Sequence, residues 1–167
     1  MCGDGSPYSA TLRSPKLRAS FCSTGRTASI SRAAAASTDS HVTTSMFERI
    51  GGRATIDLLV DRFYDRMDTL PEAKIIRAMH ADDLGLIRDV LKRYLTEWTG
   101  GPKLYSPEKG HPRLRQRHIC FAIGDAERDA WLLCMRGAME ETVTDSAARQ
   151  DLDRAISGLA DWMRNRP

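Results

Sequence analysis

The chain has 167 residues, 41% of them hydrophobic and 28% charged, enough apolar material for one core and too much for a wholly disordered chain. No apolar run reaches the ~18–20 residues of a membrane-spanning helix, and the four cysteines include no CxxC pair of the kind that founds a zinc ribbon or a dense disulfide framework. Residues 1–45 hold five basic and two acidic residues, so the net charge of +3 belongs to them, and the other twenty of each sign cancel; a nucleic-acid binder would carry a basic stripe on its folded part.

Residues 1–45 contain ten Ser, six Thr and seven Ala without a sustained helical or strand period. Such a segment buries too little to offset its ordering entropy, and it reads as a disordered extension. Its Arg, Ser and Ala with few acids match an organelle transit peptide. A flexible tail, or an upstream start with the protein proper beginning at Met46, fits equally.

From 46 to 167 the pattern is helical. Ile56, Val60, Phe63, Tyr64 and Met67 share one helix face. Pro71 suits the first turn of a short helix. Leu84, Ile87, Leu91, Tyr94, Leu95 and Trp98 keep helical spacing, with Asp82 or Asp83 as N-cap. Gly100, Gly101 and Pro102 stop that helix, and 103–110 reads as a loop. Pro112 opens a short segment holding Leu114 and His118. Gly124 and Asp125 provide a turn and an N-cap for a helix carrying Trp131, Cys134, Met135, Ala138 and Thr142. A last helix carries Leu152, Ile156, Leu159 and Met163. No alternating strand of useful length appears, so the fold class is all-α, with about six helices.

His118 closes the basic stretch Arg113-Leu114-Arg115-Gln116-Arg117 and precedes apolar Ile119-Cys120-Phe121. A ring at such a boundary can turn inward, either as a hydrogen-bonded, half-buried histidine or as a ligand. A structural zinc needs four ligands, and His80, His111, His118 and Cys120 have no regular ligand spacing. A haem needs only one imidazole, because the porphyrin supplies four nitrogens. Its propionates need cationic or hydroxyl partners, and Arg115, Arg117 and Tyr105 are available. His111, before Pro112, reads as structural, and Cys120 and Cys134 as small buried hydrophobes.

The string Trp98-Thr99-Gly100-Gly101-Pro102, Leu104-Tyr105-Ser106, Gly110-His111-Pro112-Arg113-Leu114-Arg115, Arg117-His118, Phe121, Ile123, Glu127-Arg128-Asp129-Ala130-Trp131-Leu132 and Cys134-Met135 resembles the group II truncated haemoglobins. Phe47, Gly51-Gly52 and Arg62-Phe63-Tyr64 fit the same pattern, and the resemblance covers roughly 46–165. It implies a two-over-two α-helical sandwich, a shortened globin, containing haem b. It puts the proximal iron ligand on His118, and the distal hydrogen-bond donors on Tyr64 and Trp131. Ile87 and Leu91 of the distal helix then face the pocket. His80 falls where the family has a pocket-lining aromatic or histidine, with Met79 as the alternative if the alignment slips by one residue.

The function so implied is reversible binding of O2, and of NO and CO, at a five-coordinate haem iron, with the Tyr and Trp donors slowing ligand release. A haem redox enzyme acting on NO or peroxide is a second possibility. It needs an external reductase, because the chain has no GxGxxG nucleotide motif. A haem-free helical interaction module is a third. Separated cysteines suit a reducing, cytoplasmic setting, or an organelle if 1–45 is a transit peptide. The last helix can bury its stripe within a monomer or against a second copy in a homodimer.

Overall fold

The computed structural model describes residues 44–167; the expected disordered extension lies outside them except for its last two residues. One of those two, Ser45, starts the first helix. Its hydroxyl accepts from the Glu48 backbone N–H while the Glu48 carboxylate accepts from the Ser45 N–H at 2.9 Å. This reciprocal cap of S-x-x-E form satisfies two N–H groups that a helix start leaves without partners. It opens α1 (Met46–Arg49).

Gly51 and Gly52, both at positive φ, turn the chain sharply into α2 (Gly52–Thr69). This helix buries the expected face, with Leu59 added. Pro71–Ala73 forms a single tight turn that runs into α3 (Lys74–Arg77).

Helix α4 (Gly85–Trp98) is capped by neither expected residue, because Leu84 occupies the N-cap position. Asp83 does part of the work from one place back, its carboxylate accepting from the Gly85 N–H at 2.8 Å. The expected loop contains one helical turn, α5 (Ser106–Lys109). Next comes α6 (Leu114–Arg117), with His118 at its C-cap. Helix α7 (Asp125–Thr142) takes Gly124 as its N-cap, and the Glu127 carboxylate accepts the Gly124 N–H at 2.8 Å. Asp145 caps α8 (Ser146–Met163) through the Ala148 N–H. Among the described residues there are eight α-helices, the single 3-10 turn at Pro71–Ala73 and no strand.

Helix α2 packs on α4 within one layer and on α7 across the layers, and α7 pairs with α8 in the second layer. The result is a two-over-two helical sandwich. Where α2 meets α7, α7 offers the small residues Cys134, Gly137 and Ala138, all buried, and a Cβ on Gly137 would overlap the Arg66 guanidinium of α2. Ile56, Leu59, Val60, Phe63 and Met67 fill the interior opposite Met135 and Met139, each at most 1% exposed. Each such side chain contributes about 1.5–3 kcal/mol of burial. Polar ties hold α4 to α2: the Lys92 ammonium meets the Asp61 carboxylate, and the Arg88 guanidinium reaches the Asp65 carboxylate at 2.9 Å.

The Gly-Gly-Pro stop after α4 has a second role. The Phe47 N–H donates to the Thr99 carbonyl, and the Phe47 ring lies where a Cβ on Gly101 would be, 2.6 Å from the nearest ring carbon. Glycine there lets α1 dock on the end of α4. Cys120 departs from expectation. It is exposed, while Cys134 is buried and unpaired as expected. Helix α6 is only one turn long, so Cys120 falls beyond it, where no helical face turns it inward.

Candidate functional site

The α6 segment begins with a left-handed residue, Arg113 at φ 45°, whose N–H donates to His111 Nδ1 at 3.2 Å. His111 therefore serves the turn that aims α6, as expected. One turn on, His118 Nδ1 lies 2.7 Å from the Leu114 carbonyl. A carbonyl can only accept, so Nδ1 carries a proton, and in the neutral ring Nε2 keeps its lone pair. That is the form in which an imidazole binds a metal, with its second nitrogen anchored to the backbone.

A second histidine is prepared in the same way. His80, just after α3, places Nδ1 2.8 Å from the Ile76 carbonyl, leaving Nε2 as an acceptor. Burial, above all, holds its pKa below the ordinary value. The Ile76 carbonyl opposes that shift, and the charges of Arg77 and His118 add to it. The charge of His118 thus bears on His80 although the two stand 38 positions apart in the sequence.

A chain of rings runs beside them. The Tyr64 ring meets His80 edge-on at 5.9 Å and Phe63 at 4.8 Å, and Phe63 meets Trp131 at 5.1 Å. The two rings able to donate through O–H or N–H, Tyr64 and Trp131, are therefore joined through Phe63 and share one neighbourhood. The Arg88 guanidinium sits over the Tyr64 ring, 5.4 Å from its centre. Sequence reasoning missed Arg88, which nothing distinguishes from the other polar positions of α4.

Ile87, Leu91, Leu114 and Trp131 pack against the core but are only partly covered. Next to His118, Phe121 is 37% exposed and Ile119 66%. These are the residues a flat apolar ring system bearing one metal needs: an imidazole with a free Nε2, half-covered aliphatic and indole side chains, and apolar surface flanking the ligand. The residues present fit a haem.

Each of the three expected propionate partners holds a contact of its own. Arg115 donates to the Trp162 carbonyl and places its guanidinium 5.8 Å from the centre of the indole. Arg117 donates to the Pro112 carbonyl at 2.9 Å. Tyr105 is buried with its ring edge against Tyr94, 5.7 Å away. These two tyrosines line a cavity of about 230 Å³ with Glu97, Trp98 and Pro112. Burial, then the neighbouring Tyr105, pushes the Tyr94 hydroxyl up to about 12. Glu97 accepts from the Ser106 and Tyr105 N–H groups at 2.9 and 3.0 Å, and the Ser106 N–H leads in holding its carboxyl below the usual range. No cluster of three or more His, Cys, Asp or Glu able to hold a metal ion occurs among the described residues, so the zinc alternative has no support there. Nor is any helix of the described residues long and apolar enough to cross a membrane.

A two-over-two sandwich with a backbone-anchored histidine after a short helix defines a globin. The bacterial-like globin family matches residues 45–165. The Group 2 truncated hemoglobin YjbI of Bacillus subtilis (strain 168) is 38% identical over 114 residues, 68% of this chain and 84% of that protein. The solved group II 2-on-2 hemoglobin of Agrobacterium tumefaciens superposes with a TM-score of 0.73 at 45% identity, covering 77% of this chain and 99% of that one. The cold-adapted truncated hemoglobin of Pseudoalteromonas haloplanktis TAC125 gives 0.72 at 36% identity, over 74% of this chain and 100% of its own. The chain belongs to the bacterial-like globins, in their group II truncated haemoglobin branch, and haem-based gas binding is what that membership implies.

Proposed function

We propose that this chain binds O2 reversibly, with NO and CO as further ligands, at the iron of a haem b held by His118 Nε2. The observation that carries this reading is the 2.7 Å contact from His118 Nδ1 to the Leu114 carbonyl, which leaves the other nitrogen as the ligand. When bound, the haem supplies an open coordination position for a diatomic gas; the remaining functions fall to the polypeptide.

Leu114 fixes the tautomer and the plane of the His118 ring. Leu91 and Ile87 supply one apolar wall, and Trp131 and Phe121 supply others. Tyr64 O–H and Trp131 Nε1–H point their dipoles at a partly negative ligand, and because Tyr64 is 2% exposed, water competes weakly for that bond. His80 stays neutral near pH 7 and faces the Tyr64 ring as an acceptor, so it orders the distal donors without adding a positive charge. Arg115, Arg117 and Tyr105 are assigned to the propionate edge, Arg115 and Arg117 using guanidinium donors beyond those given to Trp162 and Pro112.

The test is a set of absorption spectra of the ferric, ferrous and CO forms of the purified chain after haemin addition, repeated for His118→Ala. The wild type is expected to show a globin spectrum and His118→Ala to lose it. A wild-type chain that leaves haemin with its free-solution spectrum refutes the reading. We also assign the protein to a reducing compartment, which the unpaired thiols of Cys120 and Cys134 support; sequencing the mature amino terminus decides whether residues 1–45 direct it to an organelle.

A further inference from the structure

The segment that leaves His118 is gripped by the C-terminal tail. Asn165 Nδ2 donates to the Phe121 carbonyl at 2.9 Å and to the His118 carbonyl at 3.4 Å, and Asn165 Oδ1 accepts from the Ile123 N–H at 3.1 Å. The backbone adds two bonds, from Asn165 N–H and Arg166 N–H to the Ile123 carbonyl, at 2.9 and 3.1 Å. Both ends of one amide are thus used, and three polar groups of residues 118–123 are satisfied by a side chain at least 42 positions away.

The same tail holds the other side of the histidine. On α6, Arg115 donates to the Trp162 carbonyl and lies over the Trp162 ring. His118 therefore sits between two attachments to the end of α8, one before it and one after it. Residues 119–122 contain no helix, so no regular hydrogen-bond ladder holds this turn. Within it the Phe121 N–H reaches the His118 carbonyl at 3.0 Å, and the Phe121 carbonyl and the Ile123 N–H take their partners from the tail.

We propose that Asn165 is a positioning residue for the proximal histidine: it fixes the turn after His118 and so sets how firmly, and at what tilt, that imidazole holds iron. The inference rests on the assignment of His118 as the iron ligand. Asn165 is assigned no contact with haem or gas. It acts through the His118 and Phe121 carbonyls, and Phe121 carries the ring nearest to the imidazole, 6.3 Å from it. Asn is required by the pattern, two donors on one side and one acceptor on the other. Aspartate has the same shape but turns an oxygen toward two carbonyl oxygens, so Asn165→Asp keeps the bond to Ile123 and replaces the other two with repulsion.

The experiment compares wild type, Asn165→Ala, Asn165→Asp and the control Arg164→Ala. Arg164 is the neighbouring residue, and its side chain pairs with Asp125 and Asp161 and not with the turn. Three quantities are read: the iron–histidine stretching frequency by resonance Raman in the ferrous ligand-free form, the rate of haem transfer to an apoglobin acceptor, and amide exchange of residues 119–123 in the apoprotein. Both Asn165 variants are expected to lower the stretching frequency, to release haem about tenfold faster, roughly the weight of one net hydrogen bond, and to speed exchange in the turn. Arg164→Ala is expected to leave the stretching frequency unmoved even if thermal stability falls. A wild-type band that neither Asn165 variant shifts, with unchanged haem loss, overturns the proposal while leaving His118 in place. A wild-type holoprotein with no iron–histidine band overturns the His118 assignment itself, and this inference with it.

Discussion

Replacing Tyr64 with phenylalanine removes its hydroxyl and keeps its ring. The ring keeps its edge contacts with Phe63 at 4.8 Å and His80 at 5.9 Å and its place under the Arg88 guanidinium, and only the hydroxyl is lost. Packing is therefore nearly conserved, and the expected effect on folding stability is small beside the effect on ligand release. One net hydrogen bond to a neutral acceptor contributes about 0.5–1.5 kcal/mol, which predicts O2 dissociation about 2- to 13-fold faster in Tyr64→Phe. The assay is stopped-flow displacement of O2 by excess CO. CO dissociation is the internal control, because CO is a poor hydrogen-bond acceptor and its release should change less. Trp131→Phe makes the same comparison from the other side of Phe63. In the double variant the two effects should depart from additivity, since both donors serve one small ligand. An unchanged O2 dissociation rate in Tyr64→Phe, with haem content and CO release also unchanged, refutes a donor role for Tyr64.

His118→Gly should purify without haem and regain a five-coordinate spectrum when haemin and free imidazole are added together; recovery without imidazole would mean that another side chain holds the iron. His80 has a folded pKa below its unfolded value near 6.5, so the unfolded apoprotein binds more protons as pH drops below about 6.5, and stability falls through that range until the folded pKa is passed. Urea unfolding of apoprotein at pH 7.5 and 5.5 should therefore show a smaller loss in His80→Gln than in wild type, and equal losses would contradict the sign. Ser45→Ala removes the hydroxyl half of the cap, keeping the backbone N–H bond to the Glu48 carboxylate, and should cost about 0.5–2 kcal/mol, lowering the melting temperature by a few degrees; no change would mean that the hydroxyl contributes nothing to holding α1. Gly101→Ala brings a methyl within 2.6 Å of the Phe47 ring and should cost about 1–3 kcal/mol, most of it recovered in a Phe47→Ala background.

What could be read in advance divides along a physical line. The α2 face from Ile56 to Met67 and the α4 positions from Leu84 to Trp98 are legible because burial acts on side chains at helical spacing, and spacing is written in the chain itself. The S-x-x-E cap at Ser45 is written in the chain as plainly, but Ser45 closes a stretch whose composition suggests disorder. Cys120 is exposed because α6 ends at Arg117 and the chain beyond it obeys no period, so the apolar run Ile119-Cys120-Phe121 marks no buried face. Arg88 over Tyr64 and Asn165 beneath His118 leave no trace in the sequence. Their partners are a ring face and three backbone groups, offered by residues 24 and at least 42 positions away, and no residue type marks a backbone carbonyl that lacks a partner. The site follows the same division. Of four histidines, the structure describes three, and each of these uses Nδ1 in a backbone contact: His111 accepts, whereas His80 and His118 donate. Only donation leaves Nε2 with a lone pair and Nδ1 unable to compete for a metal, so two of the three are ready to meet one. The sequence names the residues but is silent on which nitrogen holds the proton, and the iron-binding role proposed for His118 depends on that proton's position.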